Sequence, residues 1–237
     1  MECNNILRVE VLENCINKKK FDQHVINKVE TENFRFENNI STNDFVILFC
    51  GRLGEEKGVY EILCALKKLK ETNFSDFKLI IAGDVWFFSR KEKNYKKKLE
   101  NLMEILSENV IFLGYVHSEI MPLIYASSDL VVVPTQCMEA FGMTALEALT
   151  MGKPCIASDC GGLGDIVDDH CGKLIKLDEK YADNLALSIK NFVNNDKEYV
   201  CACEAALINA KKFDNDDLYF EKFCAIVDKE VGAGIHE

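Results

Sequence analysis

DLVVVPTQCMEAFGMTALEALTMGKPCIAS, residues 129–158, reads as strand, loop, helix and strand in thirty residues. DLVVVP (129–134) is an unbroken apolar run ended by Pro134, and KPCIAS (153–158) is a second one. Neither alternates polar with apolar, so both are expected to be buried on two faces, as strands of a helix-covered parallel sheet are. MTALEALTM between them has a helical pattern, with its start predicted near Gly142–Met143. Two carboxylates interrupt this apolar unit. Glu139 stands in the loop before the helix and Glu147 about one turn inside it, with seven residues between.

The same unit recurs along the chain. FVILFC (45–50), FKLIIAG (77–83), NVIFLG (109–114) and GKLIK (172–176) add four more strand candidates. Helical stripes separate them: Ile62, Leu63, Leu66 and Leu69, then Leu99, Leu102, Met103 and Leu106, then a short helix over 119–127. Strand–helix–strand repetition predicts an α/β fold, a doubly wound, Rossmann-like parallel sheet of about six strands. C-terminal helices follow, with stripes at Leu185, Ile189 and Phe192, at Val200, Cys203, Leu207 and Ala210, and at Tyr219, Phe223, Ile226 and Val227. Residues 1–40 are polar and weakly patterned, with one short strand candidate, HVI (24–26). The expected organisation is a leading segment over 1–40, a sheet domain over 41–212 and a C-terminal helix over 213–237.

Composition narrows the function. The 237 residues have a formal net charge of −11, and the dense basic runs are KKK at 18–20 and at 96–98. That balance argues against a general nucleic-acid binder, which needs clustered cations to neutralise phosphates. No apolar run is long enough for a transmembrane helix, and the N-terminus lacks the apolar region of a signal peptide. Eleven cysteines, scattered in apolar strings without paired spacing, fit a reducing cytoplasm better than a disulfide framework. Cys201 and Cys203 read as helix packing, and no His spacing indicates a metal site.

The loops with unusual chemistry all follow strands: GRLGEEKG, GDVWFF, GYVHS, PTQCMEAFG and SDCGGLGD. In an open α/β sheet these loops line the ligand crevice. Gly51 allows a tight exit from its strand. Arg52 and Lys57 then suit a diphosphate, or else form surface pairs with Glu55 and Glu56. No phosphate loop of the nucleotide-triphosphatase type and no dinucleotide fingerprint is present. At the predicted helix start, the N–H groups of Phe141, Gly142, Met143 and Thr144 would form an anion site. A phosphate there would have Glu139 on one side and Glu147 on the other. Carboxylates repel phosphate but accept hydrogen bonds from hydroxyls, so the pattern fits hydroxylated rings flanking a diphosphate. Taken alone, Glu147 also reads as a solvated helix residue. Gly161 and Gly162 leave room for close backbone approach, Asp165 suits the first turn of a helix, and His117 suits a helix start or the surface.

At these residues the chain resembles the C-terminal, donor-binding half of a family 4 retaining glycosyltransferase of the GT-B fold. GRLGEEKGVYEIL, IIAGD, NVIFLGYV, DLVVVP, EAFGMTALEALTMGKPCIASDCGG and CGKLIK run in family order from about 48 to 176. The resemblance implies that Gly51, Arg52 and Lys57 meet the diphosphate, and that the Phe141–Thr144 amides hold the distal phosphate. It also implies Glu139 on the donor sugar, Glu147 on the ribose, and backbone near Tyr115 and Val116 at the base. Arg52, Lys57 and Glu139 would be the catalytic set, with no cofactor required. HVINKVETENF (24–34) resembles the interdomain segment, with Lys28 and Glu30 where a glycine and an aspartate are usual. The GG loop departs as well, with Gly164-Asp165 in the place of Pro-Glu.

The resemblance implies transfer from a nucleoside-diphosphate sugar, uridine diphosphate by family default, to a glycan or lipid-linked acceptor. The work would be cytoplasmic or peripheral at the inner membrane surface. Such enzymes carry a complete N-terminal domain, whereas about 40 residues precede the first strand here. The expectation is therefore a donor half carrying a remnant of the other domain. The alternative is a nucleotide-sugar-binding module or split-enzyme subunit, partnered by a separate N-terminal domain and inactive in transfer by itself.

Overall fold

Phe45–Cys50 (β1), the most central apolar run, lies at the middle of the sheet. In this computed structural model, which describes residues 12, 14–74, 76–84, 90–213 and 216–233, β1 pairs on one side with Phe77–Ala82 (β2) and on the other with Leu130–Val133 (β4). Val110–Gly114 (β3) flanks β2, and Cys155–Ser158 (β5) and Gly172–Ile175 (β6) extend the sheet beyond β4. The order is β3-β2-β1-β4-β5-β6 with every pair parallel, the doubly wound Rossmann-like topology.

Each central strand feeds two cores, because successive side chains point to opposite faces. Ile47 and Phe49 of β1 pack with Val59–Glu71 (α2), Arg90–Ile105 (α3) and Tyr181–Asn194 (α7). Val46 and Leu48 point to the other face, toward Met121–Ala126 (α4), Met143–Thr150 (α5) and Leu163–Ile166 (α6). Asp196–Ala210 (α8) packs on α5 and α7, and Asp216–Ala233 (α9) follows. The edge strands β3 and β6 are the exceptions to two-faced burial: Phe112 of β3 is 46% exposed, and Lys173 of β6 is exposed as well.

Two readings of helical faces change. α8 buries Ala202, Ala206, Asn209 and Ala210, while Val200 is exposed. Small alanines let the helix approach closely, and Asn209 donates to the Ile166 carbonyl, so the packed face is turned from the expected stripe: Ala210 is buried with it, while Cys203 and Leu207 are half-buried. On α9, Phe223 and Val227 are exposed.

Residues 24–26 form a turn rather than a strand, and Lys28–Glu37 is a helix (α1). Asn27 caps it, accepting from Val29 N–H, while the Glu30 carboxylate accepts from Asn27 N–H. That local capping competes with extended backbone and wins. Ile16, Phe21 and Ile40 sit in the same core as β1 and α5. Arg35 ties α1 to the sheet, donating to the Ser127 carbonyl and to both oxygens of Asp129 at 3.0–3.1 Å.

Candidate active site

β1 and β4 are neighbours whose chains lead to opposite flanks of the sheet, so the loops leaving their C-terminal ends diverge and leave a crevice. Two cavities, of about 260 and about 320 Å³, open there. The first is lined by Gly51, Lys57, Glu139, Phe141, Gly142, Met143 and Thr144. The second is lined by Gly51, Arg52, Tyr115, Val116, Thr144 and Glu147. Every position that the resemblance assigns to the donor thus lies on one cavity or the other, and Cys50, Gly51 and Thr144 belong to both.

α5 begins between the cavities. Its cap is Gly142, with no side-chain hydrogen bond, so the first-turn N–H groups of Met143 and Thr144 are offered at the helix start. Glu139 lies before that start, in the first cavity, and Glu147 lies within the helix, in the second.

Lys57 ends a 3₁₀ turn over Glu55–Lys57, and its Nζ donates to Glu139 Oε2 at 2.7 Å. Both side chains are largely sheltered, at 29% and 22% exposure. Arg52 is 70% exposed and pairs with Glu56 at 3.2 Å, the surface-pair alternative of the sequence. The Glu56 carbonyl accepts from Thr135 Oγ1 at 2.9 Å and from Gln136 N–H at 2.8 Å, which binds the β1–α2 loop to the β4–α5 loop.

Gly161 and Gly162 do permit close approach, and the approaching backbone is the Glu139 loop. Gly161 has φ +58°, and a Cβ there would lie 2.0 Å from the Glu139 carbonyl oxygen. The Gly162 N–H donates to that same oxygen at 2.9 Å. Glu139 is therefore gripped at its backbone by the β5–α6 turn and at its carboxylate by Lys57.

Asp165 is exposed in α6, and His117 is exposed at the turn leading to α4. Of the GDVWFF loop, Gly83 and Asp84 line the second cavity, and residues 85–88 lie outside the described residues. Tyr125 escaped the sequence reading. It is fully buried in α4, and its hydroxyl donates to Glu147 Oε2 at 2.7 Å. In sequence it is one aromatic among many in apolar surroundings, with no spacing that ties it to Glu147. Burial raises the Glu147 pKa, against the Tyr125 hydrogen bond and the Lys20 charge, which both lower it. Among the described residues no His, Cys, Asp and Glu cluster is arranged to hold a metal ion, and no helix is long and apolar enough to cross a membrane.

The family described as glycosyl transferases group 1 matches residues 30–207. A lipopolysaccharide 1,2-N-acetylglucosaminetransferase of Salmonella typhimurium is 36% identical over 139 residues, 58% of this chain and 36% of that protein. An uncharacterized glycosyltransferase of Methanocaldococcus jannaschii is 36% identical over 162 residues, 68% of this chain and 38% of that one. The chain thus spans well under half the length of these relatives. Among solved structures, Anabaena HepE in complex with UDP and glucose superposes with a TM-score of 0.81 at 22% identity, over 93% of this chain and 57% of HepE. The C-terminal domain of a glycosyl transferase group 1 family protein from Francisella tularensis gives 0.67 at 23% identity, over 83% of this chain and 97% of that domain. The sheet order, the crevice at its centre and the family match over most of the chain agree: the protein has the Rossmann-like fold of a GT-B half and belongs to the group 1 glycosyl transferases.

Proposed function

We propose that this chain binds a nucleoside-diphosphate sugar, a UDP-sugar by preference, as the donor half of a retaining glycosyltransferase. One observation carries the reading: two cavities meet at a helix start, with Glu139 lining the first and Glu147 the second. The diphosphate would lie at the junction, on Gly51 and the α5 amides, countered by Arg52 and Lys57. The nucleoside would occupy the Tyr115, Val116 and Glu147 side, and the sugar the Glu139 side. That HepE has been solved with UDP and glucose supports the choice of ligand.

Transfer would break the bond between the anomeric carbon and the distal phosphate oxygen. A bond from an acceptor hydroxyl would form on the same face, and the acceptor proton would pass to the leaving diphosphate. Developing charge on that leaving group is what Arg52, Lys57 and the helix start would stabilise, a set that asks for no metal cofactor. The acceptor class is a glycan or a lipid-linked sugar. All the groups assigned above face the donor, so a binding module or split-enzyme subunit without transfer of its own remains the second reading.

Calorimetric titration of UDP and UDP-sugars tests both. Micromolar binding supports the site, and turnover separates enzyme from module. Losing one cation, by Arg52→Ala or Lys57→Ala, should cost about 2–4 kcal/mol of transition-state stabilisation in an active complex, and the double variant more. Unchanged UDP affinity and turnover in that double variant would sink the diphosphate assignment.

A further inference from the structure

Glu147 is not held by its own helix alone. A glutamate side chain has three rotatable bonds, and an unsupported carboxylate at a cavity wall samples many orientations. Here Oε2 accepts from Tyr125 at 2.7 Å. Tyr125 is 0% exposed, and its ring stands edge-on to Phe21 at 5.9 Å, so packing fixes the phenol. The same phenolic oxygen lies 3.0 Å from Cys50 Sγ. The phenolic hydrogen is committed to the carboxylate, so the thiol is the donor to Tyr125. Burial pushes the Cys50 thiol up to about 12, which keeps that hydrogen in place at neutral pH. A relay therefore runs from the Cys50 S–H to the Tyr125 hydroxyl to Glu147, across three elements of the fold, β1, α4 and α5.

We infer that Tyr125 is a positioning residue that fixes Glu147 to accept hydrogen bonds from the ribose hydroxyls of the nucleotide donor. With Oε2 engaged by Tyr125, Oε1 is the oxygen left to a ligand in the cavity. The same hydrogen bond lowers the carboxylate pKa, against the burial that raises it. This inference rests on the nucleotide-donor reading above.

The test is calorimetric titration of uridine diphosphate and its 2′,3′-dideoxy analogue into the whole chain and its Tyr125→Phe variant, with melting curves alongside. The wild type should prefer the diol. Tyr125→Phe should weaken uridine diphosphate by roughly tenfold and leave the dideoxy analogue unchanged, the size expected for a misaligned hydrogen bond to a charged group. Equal losses for both ligands would mean a general structural role, and no loss for either would mean no role; each overturns the inference while leaving the donor site standing. A wild type that binds no uridine diphosphate overturns the donor reading, and this inference with it. Should Tyr125→Phe melt too low to titrate, Cys50→Ala loosens the same phenol by removing its thiol partner. The same diol-specific loss, smaller in size, is then expected, and a loss shared by both ligands overturns the inference.

Discussion

The Glu147 carboxylate sits in surroundings that oppose its charge. Burial raises its pKa, against the Tyr125 hydrogen bond and the Lys20 charge, which lower it. A carboxylate whose pKa is higher in the folded than in the unfolded chain destabilises the fold at neutral pH. That destabilisation is relieved as pH falls through the folded value. Glu147→Gln should therefore melt no lower than the wild type at pH 7, and its advantage should shrink on acidification. The same variant should bind uridine diphosphate about 10- to 100-fold more weakly, the worth of a hydrogen bond to a charged acceptor. A clear drop in Tm at neutral pH would contradict the sign. In titrations of the wild type, affinity should fall on the acid side, beginning above the ordinary glutamate range. The difference from Glu147→Gln isolates this carboxylate from the ligand's own phosphate ionisation.

Between residues and fold, the loops act as coupled elements. The Glu139 loop lies against the Gly161–Gly162 turn so closely that no Cβ fits at Gly161. Gly161→Ala combines a left-handed φ with a collision against backbone, and should destabilise by about 1–3 kcal/mol. Its functional signature should be selective: UDP-sugar binding falls more than UDP binding if the displaced loop carries, in Glu139, the carboxylate proposed for the sugar. Equal losses by calorimetry would reject that division of labour. The two glutamates and the helix start were legible in the sequence because strand endings and helix periodicity place them without tertiary information. Tyr125 and the Lys57–Glu139 pair were not, since each joins distant segments that only the folded sheet brings together. α8 was misread for a related reason. Periodicity ranks bulk, whereas close packing there favoured alanine at 202 and 206.

At the scale of the whole molecule, the strand count and doubly wound class were readable from apolar runs alone, while the leading segment was not. Its polar composition hides α1 and the burial of Ile16, Phe21 and Ile40. Arg35 and Asp129 are the seam: Asp129 accepts from Arg35 and, at 2.7 Å, from the Val46 N–H at the start of β1. Both side chains are about one-fifth exposed, at 20% and 23%. Arg35→Ala should lower stability by about 2 kcal/mol in urea denaturation, with UDP affinity in the folded protein unchanged. A loss of affinity instead would place α1 in the binding machinery.

The adjacency of β1 and β4 has a kinetic meaning too. Val46 and Asp129 are 83 residues apart in sequence, and β3-β2-β1 can pair before that long loop closes. The cavities, by contrast, have walls from both halves of the chain and no partial form. In a refolding experiment, nucleotide capture should thus lag behind the growth of secondary structure. The binding site would serve as the molecule's own reporter that its two halves have met.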